Sequence, residues 1–369
     1  MYNGIITPLR AALRAGKACS MSSKVTIYDI AREAGVSTAT VTRVVRGDAN
    51  VKAATREKVQ RVIDAYAYVP SDSARHLDGG SARTIALVMP HVANPYFARI
   101  YSAAYEECRA NGYTLFLYQV KEHKPITRDL VDEIIRRRFD GAVFAGGIWS
   151  SERSGLSEAL SMLKHHMPTV AICPASTELD CICINNDLVA GIRLPVRHLH
   201  ALGHRRIAYI GGSMQTNDPS RRGENFLLEM QALGLPDDPG YHIDAGYDSE
   251  GGERAVLRML SALDKRRWPT AMVAFNDLVA LGAIKQLRRM GLHLPDDMAV
   301  VGFDNQFFCP YLDPALTSVD THPEEQAQSA IRELLSTRNR NASAFSIVQD
   351  ATLVVRESCG AKLGFRKLD

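Results

Sequence analysis

The chain has 369 residues, 46% of them hydrophobic and 23% charged, with a formal net charge of +3 at pH 7. That length suits two or three packed domains, and no apolar run is long enough to cross a membrane as a helix. Seven cysteines stand at irregular positions (19, 108, 173, 181, 183, 309 and 359) without a CxxC pair, which argues against a disulfide framework and for reduced, packing thiols in the cytoplasm.

The first twenty residues carry Arg10, Arg14 and Lys17 and no acids. The two arginines interrupt the apolar stretch that a secretory signal needs, and Lys17 sits too close to Cys19 for a lipoprotein signal. With Met21 standing just before the first patterned segment, residues 1–23 are expected to be a disordered extension or a start-site artefact.

From Thr26 the pattern turns helical. Thr26 and Asp29 form a capping-box-like pair, and Ile27, Ile30, Ala31 and Ala34 recur at helical spacing. Gly35 can take the left-handed conformation that ends this helix, and Ser37 can cap the next. In that second helix Val41, Val44 and Val45 pack back on the first, leaving Thr38, Ala39, Thr42 and Arg43 outward. Short side chains followed by an arginine let a helix approach base edges closely, although any small helical hairpin shows the same periodicity. A third helix is predicted after Lys52, with Val59, Val62, Ile63 and Tyr66 on its inner face and Pro70 as its stop. The piece from Ser71 to Gly80 is too short to be helical alone and needs a partner chain, DNA, or both. Residues 24–80 hold nine Lys/Arg against seven Asp/Glu, so the placement of charge must matter more than its total.

Beyond the double glycine the chain alternates strand and helix. Strands are predicted at Thr84–Met89, Leu115–Gln119, Ala142–Ala145 and Val170–Cys173, with helices at Phe97–Asn111 and Leu130–Arg137. Cys181 and Cys183 alternate in a further predicted strand and so share one face. A second round follows: helix 187–202, strand Ile207–Ile210, helix from about Arg222 to Leu233, strand Tyr241–Ala245, strand Ala271–Phe275, helix Leu278–Met290 and strand Ala299–Gly302. This predicts an α/β fold of two parallel sheets, with a ligand cleft between the carboxyl ends of their strands.

The chain resembles the LacI family of bacterial transcription regulators. The likeness is carried by Val25–Arg43, by Thr55-Arg56-Glu57-Lys58-Val59, and by Pro70 with Ala74-Arg75-His76-Leu77. Downstream it includes Asn94-Pro95-Tyr96-Phe97, Phe139-Asp140-Gly141, Leu202–Gly212, Asn276–Gly282, Val300-Val301-Gly302-Phe303-Asp304 and Val355-Arg356-Glu357-Ser358. It implies a helix-turn-helix DNA-binding head at 24–70, a hinge helix and linker at 71–82, a two-lobed periplasmic-binding-protein-like effector and dimerisation domain at 83–360, and a tail at 361–369. It also implies three crossings between lobes, near Asn185, Ser318–Thr321 and Ala342–Ser346, placing helix 324–337 in the first lobe and strand Ala351–Val355 in the second.

By that resemblance, a homodimer binds a pseudo-palindromic operator in double-stranded DNA. Thr38, Ala39 and Arg43 would read bases, and Thr26, Ser37, Thr40, Thr42 and Lys52 would position on phosphate. Leu77 would wedge between base pairs from the minor groove. Lys52 departs from the serine or threonine usual before the third helix, losing a cap and adding a cation. In the cleft, Tyr96, Phe97, Arg222, Tyr247, Asn276 and Asp304 match effector positions, while Asp277 braces its loop. Tyr96 and Phe97 equally suit a plain core, and Asn276 a plain helix cap. Asn225 stands where relatives usually have glycine. Carboxylate, amide and guanidinium beside aromatics suit a sugar or sugar derivative, with a purine-type corepressor as the alternative. The expectation is therefore a cytoplasmic transcriptional regulator, most simply a repressor, switched by a small molecule, with no cofactor, no metal, no membrane and no enzymatic activity. No P-loop, G-x-G-x-x-G or G-x-S-x-G motif occurs. His200 and His204 lie four apart on a predicted helix with His198 nearby and could share a metal, but the resemblance places His204 in an ordinary Gly-His turn. An exported sugar-binding protein would lack the head.

Overall fold

A computed structural model describes residues 25–45, 47–68, 82–90, 92–120, 125–146, 155–173, 179–212, 222–337 and 344–361. The expected extension at 1–23, the hinge segment with Leu77, and the tail beyond Ala361 lie outside the described residues. The chain divides after Ala82 into two compact units.

The described residues of the first unit form a head of three helices: α1 (Ile27–Glu33), α2 (Thr38–Val45) and α3 (Ala53–Ala65). The Asp29 carboxylate accepts from both the Thr26 backbone N–H (3.0 Å) and the Thr26 hydroxyl (2.7 Å) at the start of α1. Gly35 ends the first turn region at φ +59°, and Ser37 Oγ accepts the Thr40 N–H at 3.2 Å to begin α2. Ile30, Ala34, Val41 and Val59 are wholly buried where the three helices meet. The predicted inner residue Tyr66 is instead 47% exposed, and Tyr68 takes its place in the core. The cause is a turn at Ala67 (φ +45°), after which the Tyr68 N–H returns to the Ile63 carbonyl at 2.9 Å. Helical periodicity carried past the last turn therefore points at the wrong tyrosine.

The second unit contains two sheets. In the first lobe, β1 (Thr84–Met89), β2 (Thr114–Gln119), β3 (Gly141–Ala145), β4 (Thr169–Ile172), β5 (Ile182–Asn186) and β11 (Ser346–Gln349) lie in the order β11-β5-β4-β3-β1-β2, all parallel. One face is covered by α4 (Pro95–Ala110) and α11 (Pro323–Thr337), the other by α5 (Arg128–Arg137) and α6 (Leu156–Leu163). In the second lobe, β6 (Ile207–Ile210), β7 (His242–Ile243), β8 (Ala271–Ala274), β9 (Ala299–Phe303), β10 (Thr317–Asp320) and β12 (Thr352–Val354) run β12-β10-β9-β8-β6-β7. Among the described residues, β12 alone is antiparallel within this sheet. Its helices are α7 (Leu188–Ala201) and α8 (Arg222–Ala232) on one face, α9 (Ser249–Ala262) and α10 (Asp277–Arg289) on the other. Buried on both faces, the central strands read as continuous apolar runs.

Three differences from the sequence reading have physical causes. The third lobe crossing falls at Asp350–Ala351, between β11 and β12, and not at 342–346. β11 is an edge strand whose Ser-Ile-Val-Gln sequence alternates in exposure, so only its parallel pairing with β5 identifies it. The strand expected over Tyr241–Ala245 shrinks to two residues, because Pro239–Tyr241 forms a 3-10 turn that buries Tyr241.

The sequence reading assigns no helix to the span of α9, which carries Gly251-Gly252 in its first turn. In the fold these glycines admit neighbouring backbone. A Cβ on Gly252 would lie 2.2 Å from the Val279 carbonyl oxygen, and one on Gly282 of α10 would lie 1.8 Å from that of Ser249. Alanine ordinarily strengthens a helix. Gly282→Ala is nevertheless expected to cost about 1–3 kcal/mol through overpacking against rigid backbone. Urea unfolding checks this, and an unchanged midpoint would contradict the close approach.

Candidate nucleic-acid interface and effector cleft

In the head, Ala39 and Arg43 stand exposed, one helical turn apart on α2, and Thr38 is half-buried. They project away from Val41 and Val44, which are 0% and 5% exposed. This leaves a short side chain and a planar five-donor fork on one free face. The hydroxyls are less free than the sequence implied. Thr26 donates to Asp29, and Thr42 donates to the Thr38 carbonyl at 3.0 Å. Ser37 and Thr40 lie 3.0 Å apart and share one bond, leaving a single proton of that pair for an outside acceptor. Asp29, its carboxyl lowered first by the Thr26 hydroxyl and then by the Thr26 N–H, keeps Thr26 engaged. Lys52 is exposed at the N-terminus of α3 and its side chain caps nothing. Tyr28, 73% exposed on α1, is an outward aromatic to which the sequence reading gave no role.

In the second unit the carboxyl ends of β8 and β9 carry the chemistry. Arg222, at the first residue of α8, lays its guanidinium between two rings, 4.0 Å from the Phe303 centroid and 4.4 Å from that of Phe275. Its Nη1 donates to the Phe275 carbonyl at 2.5 Å, whereas Nε is buried with no partner among the described residues. Nη2 stands 4.0 Å from Asp304 Oδ1, beyond hydrogen-bond reach. Asp304 follows β9 at φ +97° and is 6% exposed. Burial above all pushes its carboxyl up to about 7, Arg222 opposing and the Asp277 charge reinforcing. Tyr96 enters from the first turn of α4, where its N–H is capped by Asn94 Oδ1 at 3.0 Å. Its hydroxyl is pushed up to about 12 by burial and then by the charge of Asp304, so it remains a neutral donor. Tyr96, Arg222 and Asp304 thus come together from both lobes.

The remaining positions divide. Phe97 is 8% exposed and belongs to the first-lobe core, edge-on to the Tyr96 ring at 5.3 Å. Asn276 caps α10 through the Val279 N–H (2.8 Å) and donates to the Tyr247 carbonyl (3.0 Å). It orders the loop that carries Tyr247. The Tyr247 ring meets Phe275 edge-on at 4.9 Å, so Phe275, absent from the sequence prediction, links Tyr247 to Arg222. Asp277 is wholly buried, accepting from Ser318 Oγ (2.7 Å), the Gln306 N–H (2.7 Å) and Cys309 Sγ (3.1 Å). It braces the β9–β10 region, with its carboxyl pushed up to about 6 by burial. Asn225 does not interrupt α8, whose Phe226 is fully buried. Cys181 and Cys183 do share a face, their sulfurs 3.9 Å apart. His198 turns to Cys359 (3.2 Å) and His204 to Thr270 (3.0 Å). Among the described residues no group of side chains has the spacing of a metal site, and no helix is long and apolar enough to span a membrane.

Comparison with known proteins places this geometry. Residues 26–71 match the model of bacterial regulatory proteins, lacI family, and residues 196–359 match a periplasmic binding protein-like domain. The HTH-type transcriptional regulator DegA of Bacillus subtilis (strain 168) is 31% identical over 336 residues, 91% of this chain and 98% of that protein. The ribose operon repressor of Haemophilus influenzae (strain ATCC 51907 / DSM 11121 / KW20 / Rd) is 29% identical over 334 residues, 90% and 98% respectively. In fold, the chain is similar to the lac repressor dimer bound to operator and the anti-inducer ONPF, with a TM-score of 0.81 at 24% identity, covering 92% of this chain and 100% of that one. Head, parallel two-sheet body and near-full-length likeness agree: the chain belongs to the lacI family of bacterial transcriptional regulators.

Proposed function

We propose that this protein is a homodimeric, cytoplasmic repressor that grips a pseudo-palindromic operator and is switched by a small neutral carbohydrate held by Tyr96, Arg222, Tyr247 and Asp304. The observation that carries the ligand class is the 4.0 Å gap between Arg222 Nη2 and Asp304 Oδ1. A buried carboxylate and guanidinium this near, yet unbonded, can be bridged by a hydroxyl seated beside the gap, which donates to the carboxylate and accepts from the guanidinium. Asp304 accepts from adjacent hydroxyls, the unpartnered Nε of Arg222 donates to an oxygen, and the Tyr96 and Tyr247 rings offer apolar faces. Once ionised, Asp304 cancels the Arg222 charge, which favours a neutral ligand over a sugar acid or phosphate. The likeness to a ribose operon repressor supports a sugar. Leu77, the wedge suggested by the resemblance, completes the proposed operator contact.

A thermal-shift screen of monosaccharides, sugar acids and nucleosides tests this reading. A ligand at a hundred times its Kd stabilises the native state by about 2.7 kcal/mol. The melting point should rise with a neutral sugar, and Arg222→Ala should abolish that rise. A response confined to nucleosides would replace the carbohydrate by the purine-type alternative. A response that survives Arg222→Ala would remove the pocket.

A further inference from the structure

Arg99, one turn beyond Tyr96 on α4, has no part in the effector contacts described above. It is a first-lobe side chain, 21% exposed, and it contacts the cleft end of β9. Its Nε and Nη2 form a fork on Glu324, at the start of α11, at 2.5 and 2.7 Å. The same guanidinium reaches into the second lobe. Nη1 donates to the main-chain carbonyls of Asp304 (2.7 Å) and Asn305 (3.3 Å), and Nη2 lies 3.6 Å from Asp320 at the end of β10.

The receiving backbone is unusual. Asp304 and Asn305 sit at φ +97° and +47°, consecutive non-glycine residues in a region that costs each of them about 1 kcal/mol or more. Asn305 is further held by Arg356 (2.8 Å), Ser318 (3.0 Å) and Asp320 (2.8 Å). The strained turn that aims the Asp304 carboxylate therefore has its carbonyls tied to the other lobe. Asp320, the β10 end and Glu324 also flank the second crossing at Thr321–His322. Any change in the backbone of the Asp304–Asn305 turn must either break the Arg99 contacts or move α4 and α11 with it.

We propose that Arg99 is the positioning residue that couples the direction of Asp304 to the angle between the lobes. The coupling to an effector rests on the reading of Asp304 as a ligand contact; the latch itself does not. A planar fork can serve Glu324 and two carbonyls at once because its five N–H groups diverge in one plane. Lysine would keep the charge but not that geometry.

The test uses full-length protein with spin labels attached through p-acetylphenylalanine at Ala110 and Ala262, exposed ends of α4 and α9. This leaves the native cysteines untouched, and labelled protomers are diluted in excess unlabelled protein. Double electron–electron resonance on the unliganded wild type should give a narrow interlobe distance distribution. Arg99→Gln and Glu324→Gln should broaden it, and Arg99→Lys should give an intermediate width. Affinity for a duplex selected from a random pool by the wild-type protein should change by about fivefold or more in Arg99→Gln, in the range typical of allosteric coupling. A wild-type distribution and unchanged affinity in Arg99→Gln overturn the proposal. Should that variant not fold, Arg99→Lys decides, and a wild-type width in it is equally fatal. D-ribose thermal shifts separate the two readings. If Asp304→Asn leaves a ribose shift intact while Arg99→Gln still broadens the distances, the latch stands and the ligand assignment of Asp304 falls.

Discussion

Arg43→Ala should sharply reduce discrimination between a selected operator and random duplex while leaving the head folded. Arg43 is exposed on α2 and contributes nothing to the core, which Val41 and Val44 supply from the opposite face. A bidentate arginine–guanine contact discriminates by about 1–3 kcal/mol. A twofold site repeats it, so the loss is expected to reach about two orders of magnitude or more at fixed salt. Lys52→Ala serves as the contrast. As a cation near phosphate it should weaken all sequences alike and reduce the salt slope by about one per protomer. Fluorescence anisotropy on selected and scrambled duplexes across a salt series measures both. Equal losses on the two duplexes for Arg43→Ala would move this arginine from base reading to phosphate positioning.

The second large effect is one of stability. Asp304→Asn should make the unliganded protein more stable above pH 7 while removing its response to effector. The carboxyl is raised from 3.8 in an unfolded chain to about 7 by burial. Between those values the native state binds more protons than the unfolded state, so stability falls as pH rises through this window. At 1.36 kcal/mol per unit, holding Asp304 ionised costs at most about 4 kcal/mol. The direction already includes the favourable pull of Arg222, so the neutral amide is preferred despite losing that partner. A gain of about 1–3 kcal/mol at pH 8 is expected, vanishing below about pH 4 where the aspartate is protonated in the unfolded chain as well. Chemical denaturation at several pH values checks the sign. A destabilised Asp304→Asn at pH 8 would show that the Arg222 attraction outweighs burial and that the site is not held in a high-energy state. Asp277, raised to about 6, shares the direction but not the expected gain, because its replacement would orphan the donors of Ser318 and Gln306.

Much of the candidate site was legible because local rules act within a few residues. The Thr26–Asp29 cap, the Gly35 stop, the Ser37 start and the outward Ala39–Arg43 face all follow from side-chain chemistry at short spacing. Hydrophobic periodicity located most strands and helices for the same reason. Failures appear where a distant backbone decides. The span of α9 carries no helix in the sequence reading, and there the Val279 and Ala245 carbonyls pack against Gly251-Gly252. Ser346–Gln349 looks like loop until β5 offers it hydrogen bonds. Tyr66 fits the helix period, but the turn at Ala67 hands its place to Tyr68.

The amino-acid order by itself determined the helix-turn-helix head, the two rounds of parallel strand and helix, and which short list of side chains could meet a ligand. Only the tertiary structure decided how that list divides: Phe97 goes to the core, Asn276 to a cap, while Tyr96, Arg222 and Asp304 meet from both lobes and Phe275 joins them. It alone brought Arg99 to carbonyls more than two hundred positions away. Local pattern encodes how much apolar surface a segment must hide, whereas partners for buried charge are chosen by what the folded sheets bring within hydrogen-bond reach.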